Sequence, residues 1–208
     1  MNNTLVETIE AENDKVVIEI HRDDNPVNPR TEWDNDSEMV MFHSRYNLPN
    51  DINYNESDFN SWDEMKERIK NDNDIAEILP IYMYDHSGIT IRTTPFECRF
   101  DSGQIGFIFI TKEQARKSHG VKRLSKKVMA TVHNNLLADV KAYDQFIQGE
   151  VFGYVIKNKE TDEELESCWG FFGMEYCIEE AKAVAKNIIV PPTPEIENPN
   201  QLKLDLTM

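Results

Sequence analysis

Ile105-Gly106-Phe107-Ile108-Phe109-Ile110 carries apolar residues on both sides of its one glycine, with no polar interruption. Side chains alternate sides along a strand, so a strand apolar at both parities needs cover on both faces. The segment therefore predicts a central strand, and the fold must be built around it. At six residues it is far too short to cross a bilayer.

The flanking sequence supplies neighbours for that strand. Ile78 to Tyr84 is apolar and β-prone, with Pro80 near its start, and Ile89 to Thr93 alternates. Asp85-His86-Ser87-Gly88 between them is turn chemistry, which predicts a hairpin. Lys15 to His21 and Met39 to Phe42 read as further strands, with a Pro- and Asn-rich loop from Asp23 to Asp36 between them. Val151 to Lys157 and Leu165 to Phe171 predict a second hairpin around Asn158 to Glu163.

Four helices follow from caps and spacing. Ser61 with Glu64 has the form of a capping box before Trp62, Met65 and Ile69. Thr111 caps a short segment closed by Gly120. Ser125 caps a longer one, in which Val128, Val132, Leu136, Val140, Tyr143 and Ile147 step by threes and fours along one face. Met174 to Ile189 is amphipathic and is stopped by Pro191 and Pro192. These elements predict a single α+β domain over residues 14–190. It has a mainly antiparallel sheet and three to four helices packed on one face. Residues 1–13 read as a disordered N-terminal tail, and residues 191–208 as a Pro-rich tether.

Charge narrows the function classes. The 208 residues carry a net charge of −16. Residues 112–133 nevertheless hold seven bases and one acid, namely Lys112, Arg116, Lys117, Lys122, Arg123, Lys126 and Lys127 against Glu113. An acidic body repels phosphate at long range, so direct nucleic-acid binding is not expected. The basic segment lacks aromatics for base stacking and reads as a solvated or internally paired surface. A basic, nucleic-acid-binding host protein is the partner class such acidity suits. Met1 to Glu12 has neither the basic start nor the apolar core of a secretory signal. The odd set Cys98, Cys168 and Cys177 fits free thiols in a reducing compartment. Both point to the cytoplasm, with no membrane partner.

Two constellations could carry chemistry. Asp85 and His86 in one turn, with Asp101 and Ser102 in another, offer an acid, a base and a hydroxyl. A small hydrolase would use His86 with Asp101, Ser102 or Cys168. The simpler reading is that these residues shape turns through backbone hydrogen bonds. Cys168, between acidic and aromatic neighbours, reads as a buried residue beside a core tryptophan, with Gly170 and Gly173 allowing tight packing or a bulge. The histidines are scattered, no paired-cysteine motif occurs, and Met39 takes the glycine place of a calcium loop begun at Asp34. No metal, cofactor or nucleotide is expected.

Near the end of the sequence, Gln201-Leu202-Lys203-Leu204-Asp205-Leu206 follows Pro191-Pro192-Thr193-Pro194. It reads as a short apolar plug on a spacer. The six residues resemble the Gln-Leu-x-Leu-x-Leu peptide by which many bacterial replication and repair proteins dock on the DNA sliding clamp. Asp205 departs from the small or apolar residue common there. The resemblance implies that Gln201 anchors by hydrogen bonds while Leu202, Leu204 and Leu206 fill an apolar groove.

A second set is similar to small acidic proteins of phages and mobile elements. It comprises Tyr84-Asp85-His86-Ser87-Gly88, Thr94-Pro95-Phe96, Asp101 to Phe107, Tyr143-Asp144-Gln145 and Ser167 to Phe171. That similarity implies an origin rather than a mechanism, with the host cytoplasm as location. The expectation is a non-catalytic accessory protein that binds host proteins. The alternatives are an acidic DNA mimic inhibiting a host nuclease or defence complex, of anti-restriction or anti-CRISPR type, and the small hydrolase.

Overall fold

The computed structural model describes residues 4–190. Gln201, Leu202, Leu204 and Leu206 lie outside the described residues. Among the described residues, eight strands divide between two four-stranded antiparallel sheets. The fold is thus α+β and mainly antiparallel, with the strands shared between two sheets.

The first sheet has the order β1 (Leu5–Glu10), β2 (Val16–Arg22), β7 (Val151–Asn158), β8 (Glu164–Phe172). Its two central strands come from distant parts of the sequence, Val16 pairing with Asn158 and Arg22 with Phe152. Helix α4 (Met174–Ala185) covers one face. Cys177, Ala181 and Ala185 recur every fourth residue, and each is fully buried against Val16, Ile18, Ile20 and Ile156. Small side chains at that spacing let the helix lie close to the sheet. Burial pushes the Cys177 thiol up to about 12, so it stays protonated as a core residue.

Residues 1–13 were expected to form a disordered tail, and the structure corrects this. Leu5–Glu10 is an edge strand on β2, although most of its side chains are exposed. Backbone pairing and the packing of Ile9 hold it, and neither leaves a strong apolar pattern in the sequence.

The second sheet has the order β3 (Glu38–Met41), β6 (Ser102–Thr111), β4 (Ile75–Asp85), β5 (Ile89–Arg92). Strand β6 is the expected central strand, with β3 on one side and β4 on the other. Helices lie on both of its faces rather than one. Ile108 and Ile110 face α2 (Lys112–Ser118) and α3 (Lys126–Ile147), in a core with Ala115, Val132, Leu136 and Val140. Phe107 and Phe109 face α1 (Trp62–Asp72), in a separate core with Val40, Met65 and Ile69. Each fully buried Ile or Phe contributes about 1.5–3 kcal/mol, so neither face tolerates removal of its helix. A bulge at Ile105, unmatched between the pairs Ile81–Gly106 and Tyr82–Gln104, keeps Ile105 on the α3 side.

Local expectations were met unevenly. Thr111 and Gln114 form a complete capping box on α2. Ser61 Oγ accepts from the Glu64 amide at 3.2 Å, but the Glu64 carboxylate turns to the amide and side chain of Asn60. Pro80 sits mid-strand rather than near a strand start, because β4 begins at Ile75. The ladder with β5 begins only at Tyr82, so β4 has one neighbour at Pro80 and is locally an edge.

The two sheets meet where α3 hands over to β7. The Gly173 amide donates to the Glu150 carbonyl at 3.0 Å, and the Arg22 guanidinium donates to the Gly149 carbonyl. Trp33, on the loop before β3, packs edge-on against Phe172 at 4.9 Å.

Gly106 is a point of forced contact. A Cβ there would lie 2.0 Å from the Val40 carbonyl oxygen, whereas one at Gly103 would meet nothing within 4 Å. Gly106→Ala is expected to destabilise the protein by about 1–3 kcal/mol in urea unfolding. Gly103→Ala on the same strand is expected to be neutral or stabilising by up to about 1 kcal/mol.

Candidate functional site

The turn residues singled out in the sequence come together at one end of the second sheet. The Asp85 amide donates to the Asp101 carbonyl at 2.8 Å, which brings the β4–β5 turn beside the start of β6. His86 Nδ1 lies 3.4 Å from Asp101 Oδ2, and both side chains are largely exposed. The Asp85 carboxylate takes the Arg45 guanidinium and, at 3.2 Å, the Tyr46 hydroxyl. The Ser102 hydroxyl donates to the Cys98 carbonyl. His86 therefore has an orienting carboxylate, while the nearby hydroxyl is committed to backbone. Ser102 shapes its turn through a side-chain to backbone bond, whereas the Asp85 carboxylate goes to side chains of another loop and only its amide joins the two turns.

Cys168 stands apart. It lies on β8 of the first sheet, opposite Tyr154, while His86 belongs to the second. It was expected to be buried beside a core tryptophan, but Cys168 is exposed and Trp169 is 38 % exposed. The reason is that β8 is an edge strand. The bulge expected there is present at Gly170, which has φ +84° and is skipped between the pairs Phe152–Phe171 and Gly153–Trp169. The close packing falls on Gly153, where a Cβ would lie 2.1 Å from the Trp169 ring.

The basic segment is only partly paired within the body. Lys112 Nζ reaches Asp74 at 2.6 Å, and Arg116 Nε donates to the Lys112 carbonyl at 3.0 Å. Lys117, Lys122, Arg123, Lys126 and Lys127 are exposed and make no ion pair among the described residues. Among the described residues, no group of three or more His, Cys, Asp or Glu side chains could hold a metal ion. Among them, too, no helix is long and apolar enough to cross a membrane.

The most constrained polar chemistry lies elsewhere, around Arg30. Its side chain is 2 % exposed and pairs with Asp51 at 2.7 Å. It also donates to Asn35 Oδ1 at 3.0 Å and to the Ser37 carbonyl at 2.8 Å. Asp51 Oδ2 accepts from the Met39 amide at 2.7 Å, which ties the loop to the start of β3. Arg30 Nε has no partner among the described residues. Leaving one buried donor unsatisfied costs about 1–3 kcal/mol, which the four bonds made by the same guanidinium offset.

Ser37 carries the network to α3. Its hydroxyl donates to Asp139 Oδ2 at 2.6 Å, while Asp139 Oδ1 has no partner among the described residues. Burial raises the Asp139 carboxyl above its ordinary value of 3.8, and the Ser37 hydrogen bond and the Arg30 charge only partly counter it. Asp139 borders a recess of about 210 Å³. The floor is Ile110, Val132 and Leu136. One wall is Trp33 to Ser37, and the other is Asn135, Ala138 and Asp139 of α3. Ser118 and His119 close the end, with the Ser118 hydroxyl donating to Asp36.

The loop that forms one wall of this recess carries no sequence pattern that marks it. Asp23 to Asp36 read as plain loop, which gave Arg30 no role. A signal was present in α3. Asp139 follows Leu136 by three and precedes Tyr143 by four, which puts a carboxylate on the apolar stripe.

The chain matches no protein-family model, no curated protein and no solved structure.

The raised Asp139 carboxyl has a signed consequence. The folded state holds this proton more tightly than the unfolded chain, so ionisation of Asp139 opposes folding. The cost is absent below the ordinary value and grows as pH rises through the raised one. Asp139→Asn keeps an acceptor for Ser37 and is expected to be more stable than the parent at neutral pH. The difference should shrink toward zero as the pH falls to about 3.8. Urea unfolding across that range checks it; a variant less stable at neutral pH would contradict the assignment.

Proposed function

We propose that this chain is a non-catalytic accessory protein of phage type that works by binding host proteins. Gln201, Leu202, Leu204 and Leu206 dock on the DNA sliding clamp. The observation that carries the reading is the sequence Gln-Leu-x-Leu-x-Leu placed after the body and a Pro-rich stretch. α4 ends at Ala185, and the peptide begins at residue 201. The intervening sequence is long enough to hold a bound peptide clear of the body. Alternate leucines suit an apolar groove, and Gln201 supplies a hydrogen-bonding anchor. The acidic body then meets a basic, nucleic-acid-handling partner, which its net charge attracts.

A second reading, an acidic DNA mimic that inhibits a host nuclease or defence complex, rests on a different observation. Glu163, Glu164 and Glu166 on and beside β8, with Glu175 and Glu179 on α4, are exposed and make no ion pair among the described residues. Unpaired carboxylates on adjoining elements present negative charge outward, as a phosphate backbone does.

Calorimetric titration with purified clamp separates the two. The full chain is expected to bind, and Leu204→Ala with Leu206→Ala to weaken binding by at least about tenfold. A chain cut after Val190 is expected to lose it. Unchanged binding in the double variant would falsify the clamp reading. A mimic instead keeps its target when cut after Val190 and releases it steeply with salt.

A further inference from the structure

We propose that the recess between Trp33–Ser37 and α3 is a socket for one arginine or lysine side chain of a basic protein partner. The recess stands on the body alone and does not depend on residues 201–206.

Its size and lining select the guest. About 210 Å³ is below the roughly 300–1,000 Å³ of small-molecule sites, and suits a single long side chain. The floor of Ile110, Val132 and Leu136 is apolar, whereas Asp139 lies on the wall. A long cationic side chain has the matching form, an apolar stem and a charged head. An anionic or wholly apolar guest would leave the carboxylate facing it without compensation.

Asp139 gives the socket its specificity. One of its oxygens accepts from Ser37, and the other has no partner among the described residues. Arg30 is nearby, but the bonds made by its Nη1 and Nη2 go to Asp51, Asn35 and Ser37. The carboxyl is half-buried without an ion pair, and this partial burial, with the Asp36 charge adding to it, disfavours its ionisation. An incoming guanidinium or ammonium supplies the missing partner in a partly desolvated place, where such a pair is strongest.

Trp33 forms the rim. It is 45 % exposed yet held in place by its edge-on contact with Phe172. A rigid, half-exposed tryptophan beside a socket is the residue type that dominates binding energy at protein interfaces, and its face also attracts cations. The basic residues from Lys117 onward begin one position before the Ser118 end of the recess. Asp34, Asp36 and Asp139 line the recess while the basic residues follow in the sequence beside Ser118, a mixed charge pattern that sets the register of a partner carrying the complementary one.

The test uses the isotopically labelled full chain and a short probe, acetyl-Ala-Arg-Ala-amide, against the same peptide with neutral citrulline in place of arginine. The arginine probe is expected to give saturable shifts at the Trp33 indole and the amides of Asn135 to Asp139, and the citrulline probe none. Asp139→Asn should weaken the arginine probe at least about tenfold while the chain stays folded. Asn135→Arg sets a cation on the wall from α3 without touching the Ser37–Asp139 bond, and should block the probe equally. Absence of saturable shifts, shifts spread evenly over the acids of β8 and α4, or undiminished binding in both variants would each overturn the socket. The clamp is absent from this experiment, so its outcome is separate from that of the peptide 201–206.

Discussion

Strand β6 is buried on both faces, and the second half of the molecule follows from that demand. Ile108 and Ile110 require α2 and α3 on one side, while Phe107 and Phe109 require α1 on the other. Backbone contact at Gly106 sets how closely β3 lies alongside. Once α3 is seated on Ile110 through Val132 and Leu136, Asn135 and Asp139 are delivered to the edge of the core. The recess is a by-product of that seating. Its floor is the apolar core, and its walls are the polar positions that flank the apolar stripe of α3.

Electrostatics then divides the molecule by role. Arg30 and Asp51 are structural, because together they bind the loop before β3 to the strand itself. Asp144 is structural as well. Its carboxylate accepts from the Ile91 amide at 2.7 Å and from Thr90 Oγ1 at 2.9 Å, pinning β5 to α3. Asp139 differs from both. Burial raises the carboxyls of Asp139 and Asp144 alike, but Asp139 accepts from one hydroxyl only and its second oxygen has no partner among the described residues. A carboxylate held at a cost in stability with one oxygen left unbonded is a candidate functional position.

The sequence made the central strand, the two hairpins, the four helices and the hydroxyl caps of three of them legible, because each has a local cause. Period, turn chemistry and capping are written within a few residues of one another. What escaped was non-local. Val16 to Arg22 pairs with a strand more than a hundred residues away, and no local signal marks that partner or the split into two sheets. Leu5 to Glu10 is held by backbone pairing on an exposed edge, which composition does not betray. Of the candidate site, the sequence brought forward His86 and Asp101, which the fold does place together. It also brought forward Ser102, whose hydroxyl faces backbone, and Cys168, which lies in the other sheet. Arg30 was invisible because a lone arginine in a Pro- and Asn-rich loop carries no pattern.

On the proposed reading, body and peptide are two separable binding devices: residues 201–206 for the clamp, and the recess at Asp139 for a basic partner. The most direct measurement is NMR of the labelled full chain with unlabelled clamp. Signals of Gln201 to Leu206 are expected to broaden and vanish on addition of clamp, while the Trp33 indole and the amides of Asn135 to Asp139 keep their positions. Shifts at Trp33 and Asp139 with an unaffected Gln201 to Leu206 would contradict the division of roles. Clamp binding would then belong to the body.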